Sequence, residues 1–426
     1  MVFSMSILIK NVRIVDWRQD FDFIGDILVS GGKIEKIAEN IIVTADEIID
    51  GTGLVACAGL VDMHVHLRDP GVTYKEDIIS GCNAAAAGGV TSMAAMPNTK
   101  PVTDSVETIR YIIDKSEQAS ARVYPVASVT CGMAGEKTCD FEALSAAGAV
   151  AFSDDGVPVA TRELLSEGIE KTNAIGKMIL AHCEELSLVH GGIINLGKVS
   201  EQLGVKGMSP AGEDVGTRRE IEEAEKLGAP IHICHVSTKG SVEMIRQAKA
   251  RGVKVTAETA PHYFWFTEEK LLSRDADYRM NPPLRCEEDR LAIIEGVLDG
   301  TLDAIATDHA PHSVEDKSDF EKAPNGVVGM ETSFSASYTA LVKSGLISLK
   351  RLLALMSYNP SQILGIPAGV MAEGENADLF LFDENEKWTV DVNKLHGKSV
   401  NCVFKNVELF GKVKYTICRG KLVYKD

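Results

Sequence analysis

Two histidines separated by a single residue follow an apolar stretch near the start of the chain. His64 and His66 lie in the segment 61–71, VDMHVHLRDPG, after the apolar run 54–60. Residues two apart on a β-strand project from the same face, so the two imidazoles would lie side by side and could chelate one divalent metal ion. A solvated histidine pair is the simpler explanation of an isolated His-x-His pattern. The apolar strand before it and the RDPG sequence after it favour a metal site.

Further potential ligands occur where other predicted strands end. Alone, each has a simpler explanation, either a buried hydrogen-bonded histidine or a carboxylate that caps a helix. Together with the first pair they mark five of eight predicted strand ends, which indicates a common site. Four histidines and two carboxylates suit two divalent ions of borderline softness, and we expect zinc. These further candidates are Asp154 or Asp155, His182, His235 and Asp308.

Strand and helix patterns alternate through the middle of the chain, from residue 59 to 364. Eight βα units in about 300 residues predict a (β/α)8 barrel, in which catalytic groups lie at the C-terminal ends of the strands. A doubly wound sheet is less favoured because no glycine-rich dinucleotide turn follows an early strand. The predicted strands are 60–67, 90–95, 122–129, 149–153, 178–182, 231–236, 253–258 and 302–307, and the clearest helices are 78–87, 106–118, 218–227 and 242–250.

Both ends of the chain have short alternating strands and no strong helical pattern. Glycine-containing turns such as Gly31-Gly32 separate these strands. We therefore predict that residues 1–58 and 365–426 combine into one small β-sandwich domain beside the catalytic barrel of residues 59–364.

The totals exclude several classes of protein. Acidic residues outnumber basic ones by 61 to 44, and no basic run is long enough for a nucleic-acid patch. No apolar run reaches the length of a membrane span, and the first residues lack the features of a signal peptide. Nine cysteines without a CxxC pair indicate reduced thiols in a cytoplasmic protein.

Two motifs resemble signatures of the amidohydrolase superfamily, and within it those of the dihydroorotases of the bacterial long-chain type, class I. The first is DMHVHLRDPG at 62–71 and the second is ATDHAPH at 306–312, with Lys317 beyond it. The resemblance covers essentially the whole chain, including the split β-domain. It implies two zinc ions, one held by His64, His66 and Asp308 and the other by His182 and His235.

Many relatives in this superfamily bridge their two metals with a carbamylated lysine on the fourth strand. The fourth predicted strand, 148–156, contains no lysine, and Lys137 lies before it. The class I resemblance implies an aspartate bridge instead. Strand alternation cannot decide between Asp154 and Asp155, because neighbouring residues point in opposite directions. We choose Asp155.

Arg68 indicates the substrate, since a guanidinium can hold a carboxylate through two parallel hydrogen bonds. A simpler explanation of Arg68 is a surface ion pair with Asp69. The position of Arg68 directly after the metal-binding histidine pair argues against this explanation. The resemblance adds His312 and Asn281 as substrate-binding residues, and Asn98 ends the second strand and could assist. Asn98 and Asn281 could also be ordinary cap or turn residues. We expect His262 to be structural.

The resemblance implies a reversible reaction that closes N-carbamoyl-L-aspartate to L-dihydroorotate and water, with Asp308 as the proton carrier. It also implies a homodimer and leaves association with aspartate transcarbamoylase open. The loop 313–328 is long enough to act as a lid, and a mobile surface loop is an equal alternative. Two rival functions remain: a hydantoinase or allantoinase, and a non-catalytic homologue that has lost its metal ligands. Arg68 argues against the first, and the six retained ligands argue against the second.

Overall fold

Strands occupy both ends of the chain, and strands and helices alternate between them. The computed structural model describes residues 6–426; the first five residues, on which the prediction about a signal peptide rests, lie outside this range. The strands are β1 (Ile7–Val15), β2 (Asp22–Ser30), β3 (Lys33–Ala38), β4 (Glu47–Asp50), β5 (Val55–Ala58), β6 (Leu60–Val65), β7 (Val90–Ala95), β8 (Arg122–Ala127), β9 (Ala151–Phe152), β10 (Leu180–Ala181), β11 (Ile194–Asn195), β12 (Gly207–Met208), β13 (Ile231–Ile233), β14 (Val255–Thr259), β15 (Ala304–Ile305), β16 (Leu379–Thr389), β17 (Glu408–Cys418) and β18 (Lys421–Lys425).

The helices follow the barrel strands, and most begin at a side chain that caps the first turn. Asp77, for example, accepts a hydrogen bond from the amide of Ser80 and forms a capping box with it. The helices are α1 (Ile78–Ala87), α2 (Val106–Ser116), α3 (Phe141–Ala147), α4 (Arg162–Ala174), α5 (Leu186–Val189), α6 (Lys198–Leu203), α7 (Pro210–Leu227), α8 (Lys239–Ala250), α9 (Pro261–Trp265), α10 (Glu287–Asp299), α11 (Met330–Ser337), α12 (Leu349–Leu353) and α13 (Asn359–Leu364).

Both ends of the chain contribute to one eight-stranded sheet. Its order is β18-β17-β16-β5-β1-β2-β3, and β4 also pairs with β1. The N-terminal and C-terminal parts meet where β5 pairs antiparallel with β16, with Ala56 opposite Leu381. Buried side chains from both parts, including Ile9 and Leu379, form a common apolar cluster.

Two parallel four-stranded sheets form the barrel. Their orders are β6-β7-β8-β9 and β10-β13-β14-β15. Single parallel bridges join them at both seams, Phe152 to Ile179 on one side and Val65 to His309 on the other. Eight strands therefore close into the predicted barrel, which lies beside the mixed sheet.

Several barrel strands are shorter than the sequence pattern indicates. The predicted strand 302–307 is reduced to β15, and 231–236 to β13. The backbone leaves the strand direction at residues with positive φ, namely Arg68 (60°), His235 (37°) and Asp308 (48°). Left-handed backbone is uncommon for residues other than glycine, and here it occurs where side chains must turn into the barrel mouth.

The cysteines and the helix lengths bear on two further predictions. All nine cysteines are free, and most are buried. Among residues 6–426, no helix combines the length and the apolar character needed to cross a membrane.

Candidate metal centre and active site

A polar cavity of about 250 Å³ opens at the C-terminal ends of the barrel strands. His64 lies beneath it and is completely buried. The structure thus brings all the residues that the sequence singled out for chemistry to one place. Those that line the cavity are His66, Arg68, Asn98, Asp155, His182, His235, Asn281, Asp308 and His312.

One group of potential ligands comes from β6 and from the segment after β15. Donor atoms of His64, His66 and Asp308 lie within 4.8 Å of one another. Nε2 of His66 is 3.0 Å from Oδ1 of Asp308, and Nε2 of His64 is 3.7 Å from the same oxygen. This is the set proposed from the sequence for the first ion.

Asp155 lies at the centre of the cluster. Its Oδ1 is 3.3 Å from Nε2 of His64, 3.4 Å from Nε2 of His235 and 3.6 Å from Nδ1 of His182, and its Oδ2 is 3.3 Å from Nε2 of His66. Burial acts to raise the pKa of this carboxyl, but the neighbouring imidazoles of His64, His182 and His235 hold it well below its ordinary value. The carboxylate is therefore ionised and shared among four imidazoles.

Asp154 has a different environment from its neighbour. Its Oδ1 accepts hydrogen bonds from the amides of Val129 (2.8 Å) and Thr130 (3.0 Å), and its Oδ2 accepts one from the Thr130 hydroxyl (2.5 Å). These bonds fasten the end of β9 to the segment after β8. The carboxylate has no oxygen directed at the histidine cluster.

The donor set fits borderline divalent ions. Nε2 of His64 and Oδ1 of Asp155 are buried without a hydrogen-bond partner among the described residues, which is costly for polar atoms unless a cation lies between them. Nδ1 of His182 lies 2.9 Å from Nε2 of His235. Two nitrogens bound to one tetrahedral zinc at about 2.0–2.1 Å would be roughly 3.4 Å apart. A small relaxation would therefore accommodate an ion.

The Nδ1 atoms of His64 and His66 also have partners within the protein. Nδ1 of His64 lies 2.7 Å from Oε1 of Glu258, and Nδ1 of His66 lies 2.8 Å from Oδ1 of Asn98. Because carboxylate and amide oxygens accept hydrogen bonds, both Nδ1 atoms carry the proton. Nε2 is therefore the nitrogen of each ring that could bind a metal ion next to Asp155 and Asp308.

Arg68 is not paired with its neighbour Asp69. The Asp69 carboxylate is bound instead by Lys115 (2.7 Å) and by the hydroxyl of Tyr111 (2.9 Å). The Arg68 guanidinium donates to the carbonyl of Pro311 (3.3 Å) and borders the cavity. Burial lowers its pKa to about 10, so it is still charged at neutral pH and can bind an anion.

Both ring nitrogens of His312 have partners within the protein. Nδ1 accepts a hydrogen bond from the ammonium of Lys75 (3.0 Å), and Nε2 donates to the carbonyl of Asn325 (2.8 Å). Burial and the nearby charges of Arg68 and Lys75 lower the pKa of His312 to about 2. The ring is therefore neutral, and it must give up a partner before it can bond a substrate.

The two candidate asparagines also form hydrogen bonds within the protein. Besides holding His66, Asn98 donates from Nδ2 to the carbonyl of Asp155 (3.4 Å). Asn281 donates from Nδ2 to Oε1 of Glu184 (3.1 Å). Both residues border the cavity, so the structure places them where the sequence prediction required.

The segment 313–328, expected to be a lid or a mobile loop, is fastened beside the cavity. The buried ammonium of Lys317 donates to the carbonyls of Ala276, Arg279 and Pro324 at 2.9–3.0 Å. Asp316 forms an ion pair with Lys75 (3.0 Å). Whether the segment moves stays a prediction.

Sequence reasoning missed Glu258 and Lys75. Glu258 gave a usable signal, because it is a carboxylate near the end of the apolar seventh barrel strand. Lys75 lies in an irregular segment, and no pattern in the sequence brings it to His312. His262, expected to be structural, is buried, and burial lowers its pKa to about 4.

Comparisons with known proteins agree with this geometry. Residues 53–241 match the family model described as "Dihydro-orotase-like". The chain is 48% identical over 424 residues to a protein of Geobacter metallireducens named dihydroorotase, which covers 99% of this chain and 100% of that protein. A dihydroorotase of Ruminiclostridium cellulolyticum is 45% identical over 418 residues, 98% of each chain.

Solved structures with the same architecture include hydantoinases. The L-hydantoinase (dihydropyrimidinase) of Arthrobacter aurescens has a TM-score of 0.88 and 25% identity, over 99% of this chain and 96% of that one. A D-hydantoinase, at 24% identity and a TM-score of 0.87, supports the fold alone. The metal-dependent amidohydrolase architecture, the candidate ligand cluster and the full-length relatives agree: this chain belongs to the dihydroorotase family and is a cyclic amide hydrolase.

Proposed function

We propose that this chain catalyses the reversible closure of N-carbamoyl-L-aspartate to L-dihydroorotate and water in de novo pyrimidine biosynthesis, and that it does so with two zinc ions. The name of the full-length relatives supports the reaction. One observation carries the substrate assignment: the charged guanidinium of Arg68 borders the same cavity as the histidine–aspartate cluster. A carboxylate can bind there while the rest of a cyclic amide reaches the cluster.

The division of ligands between two ions is the one that the family resemblance implies, and the residues concerned lie together in the cluster. We propose that His64, His66 and Asp308 would hold one ion, that His182 and His235 would hold the other, and that Asp155 would be shared between them. When bound, the ions would supply an acidified water and a Lewis acid for the ring carbonyl.

Asp308 is the proposed proton carrier. Burial acts to raise its pKa, but the hydrogen bond from His66 and the nearby imidazoles lower it to about 2, so the carboxylate is ready to accept a proton at neutral pH. In ring opening it takes a proton from the attacking water and delivers it to the leaving ring nitrogen. In ring closure it first removes the proton from the ureido nitrogen.

The remaining residues orient the substrate. Arg68 binds its carboxylate, and the neutral His312 ring lies 3.4 Å from the guanidinium. Asn281 offers Oδ1, and Asn98 offers its second amide hydrogen. Fixing the substrate over the cluster lowers the entropy cost of reaching the transition state.

A panel of cyclic amides tests this function against the strongest rival. The hydantoinase structures share the fold, so fold alone does not choose the substrate. We expect L-dihydroorotate to be hydrolysed with a higher kcat/KM than hydantoin, dihydrouracil or allantoin, none of which carries a carboxylate. Preference for any of these three would contradict the proposal. Zinc-loaded protein without activity on the whole panel would favour a non-catalytic homologue.

The proposal also covers the domain organisation, the location and the subunit number. We propose a catalytic barrel over residues 59–364 and a small β-domain formed by 1–58 with 365–426, in a cytoplasmic homodimer. Light scattering of the purified chain, alone and with aspartate transcarbamoylase, tests the dimer and the association that the resemblance leaves open. A monomeric mass would contradict the dimer.

A further inference from the structure

Glu258 is a buried carboxylate that the proposed mechanism leaves without a role. It lies on β14, is only 1% exposed, and places Oε1 2.7 Å from Nδ1 of His64. An ionised carboxylate in this setting needs hydrogen-bond donors, because burying an isolated charge is costly. His64 Nδ1–H is that donor.

The second oxygen of Glu258 faces another buried histidine. Nε2 of His232 lies 3.5 Å from Oε2, and Nδ1 of the same ring lies 2.8 Å from the hydroxyl of Thr256. Strand pairing fixes this arrangement, since His232 on β13 lies opposite Thr256 on β14. Neither Oε2 of Glu258 nor Nε2 of His232 has a hydrogen-bond partner among residues 6–426. The carboxylate thus lies between two imidazoles, hydrogen-bonded to the ring of His64 and 3.5 Å from that of His232.

A separate metal site below the cluster is a weaker interpretation of the same residues. Donor atoms of His64, Cys234 and Glu258 lie within 4.8 Å of one another. Metal ligation by cysteine requires the thiolate, and Cys234 is buried within an apolar cluster of the barrel. Nδ1 of His64 is also already bonded to Glu258. The hydrogen-bonded arrangement accounts for the contacts without an ion.

We propose that Glu258 is a positioning residue that selects the Nδ1–H tautomer of His64 and so sets the affinity of the metal centre. With the proton on Nδ1, the Nε2 lone pair points at Asp155, 3.3 Å away. The negative charge on Glu258 also makes the imidazole a stronger ligand. The ring of His232 lies 3.5 Å from the other oxygen of Glu258. This inference rests on the proposed metal site.

Zinc affinity measured in the absence of substrate tests the proposal. Chelator-treated protein is titrated with zinc against a chromophoric chelator of known affinity. We expect Glu258→Gln to bind its weaker ion about 10–100-fold less tightly than the wild type, the loss typical of a removed hydrogen-bond partner of a ligand. Glu220→Gln is the matched control, because Glu220 is also 1% exposed but pairs with Arg219 (2.6 Å) rather than with a histidine. Its affinity should equal that of the wild type.

Two results would distinguish a failure of this inference from a failure of the proposed function. Wild-type protein that binds no zinc would overturn the metal site and the inference together. Zinc-binding wild type with unchanged affinity in folded Glu258→Gln would overturn the inference alone.

A second measurement needs no folded Glu258 variant. In zinc-loaded, ¹⁵N-histidine-labelled wild type, the His64 signals, assigned by their loss in His64→Asn, should show a proton on Nδ1 and none on Nε2. A proton on Nε2 would overturn the proposal.

Discussion

Asp154 and Asp155 are adjacent in the chain, yet their carboxylates serve different parts of the molecule. Asp155 lies 3.3–3.6 Å from ring nitrogens of four histidines. Asp154 turns away and accepts three hydrogen bonds from Val129 and Thr130. One residue of strand register therefore separates a candidate ligand from a structural anchor.

The two aspartates should respond differently to replacement. Asp155→Ala should lose one of two bound zinc ions and nearly all activity, because the Asp155 carboxylate lies between the two groups of histidines. Asp154→Ala should keep both ions but lose stability, by about 1–3 kcal/mol for each buried donor left unpaired. Metal analysis and urea unfolding of both variants measure this. Greater metal loss in Asp154→Ala would mean that the bridging residue is misassigned.

Arg68 should determine substrate use without affecting metal content. Lysine keeps the charge but cannot form the paired hydrogen bonds of a guanidinium. We expect Arg68→Lys to lower kcat/KM for dihydroorotate by roughly one to two powers of ten, at about 1.4 kcal/mol per power, and Arg68→Ala to lower it further. Both variants should retain zinc. The exposed Arg218 supplies a control, since Arg218→Lys should leave the kinetics unchanged. Unaltered dihydroorotate kinetics in Arg68→Ala would remove the basis of the substrate assignment.

The barrel could be predicted because the sequence alternates between strand patterns and helix patterns. The strand 90–95 and the helix 78–87 have the predicted bounds, since apolar runs and a capped, alanine-rich segment define them locally. The strands at 231–236 and 302–307 were overestimated, since they end at Ile233 and Ile305, shortly before the positive φ of His235 and Asp308. A periodic pattern does not indicate where the backbone turns to direct a side chain into the site.

The part of the candidate site that lies at strand ends could be predicted from the sequence. His64, His66, His182, His235 and Asp308 meet because parallel strands bring their C-terminal ends to one rim. Contacts made by irregular segments could not be predicted. Lys75, between β6 and α1, reaches His312 only because two loops pack against each other.

Lys75 should affect substrate binding through His312. Its ammonium holds the Nε2–H tautomer and pairs with Asp316 in the neighbouring loop. We expect Lys75→Met to raise KM for dihydroorotate about tenfold, equivalent to one charge-assisted hydrogen bond, and to leave zinc content unchanged. Lys171→Met, which removes an exposed pair with Glu167 and a hydrogen bond to Thr138, is the control. A normal KM in Lys75→Met would show that the position of His312 does not depend on this contact.

Lys317 should hold the segment 313–328 in place. Lys317→Met leaves the carbonyls of Ala276, Arg279 and Pro324 without their donor, so this segment should open more often. We expect faster amide hydrogen exchange across 313–328, with unchanged exchange in β7, which does not contact it. Uniform acceleration over the whole chain would instead indicate global destabilisation.

The account's central claim is that two zinc ions in the histidine–aspartate cluster serve the hydrolysis of dihydroorotate. The most direct measurement titrates chelator-treated protein with zinc while dihydroorotate hydrolysis is followed. The account predicts negligible activity before addition and a plateau at two equivalents per chain, with about the same zinc content in protein purified without chelator. Full activity in the metal-free protein, or a plateau at one equivalent, would contradict it.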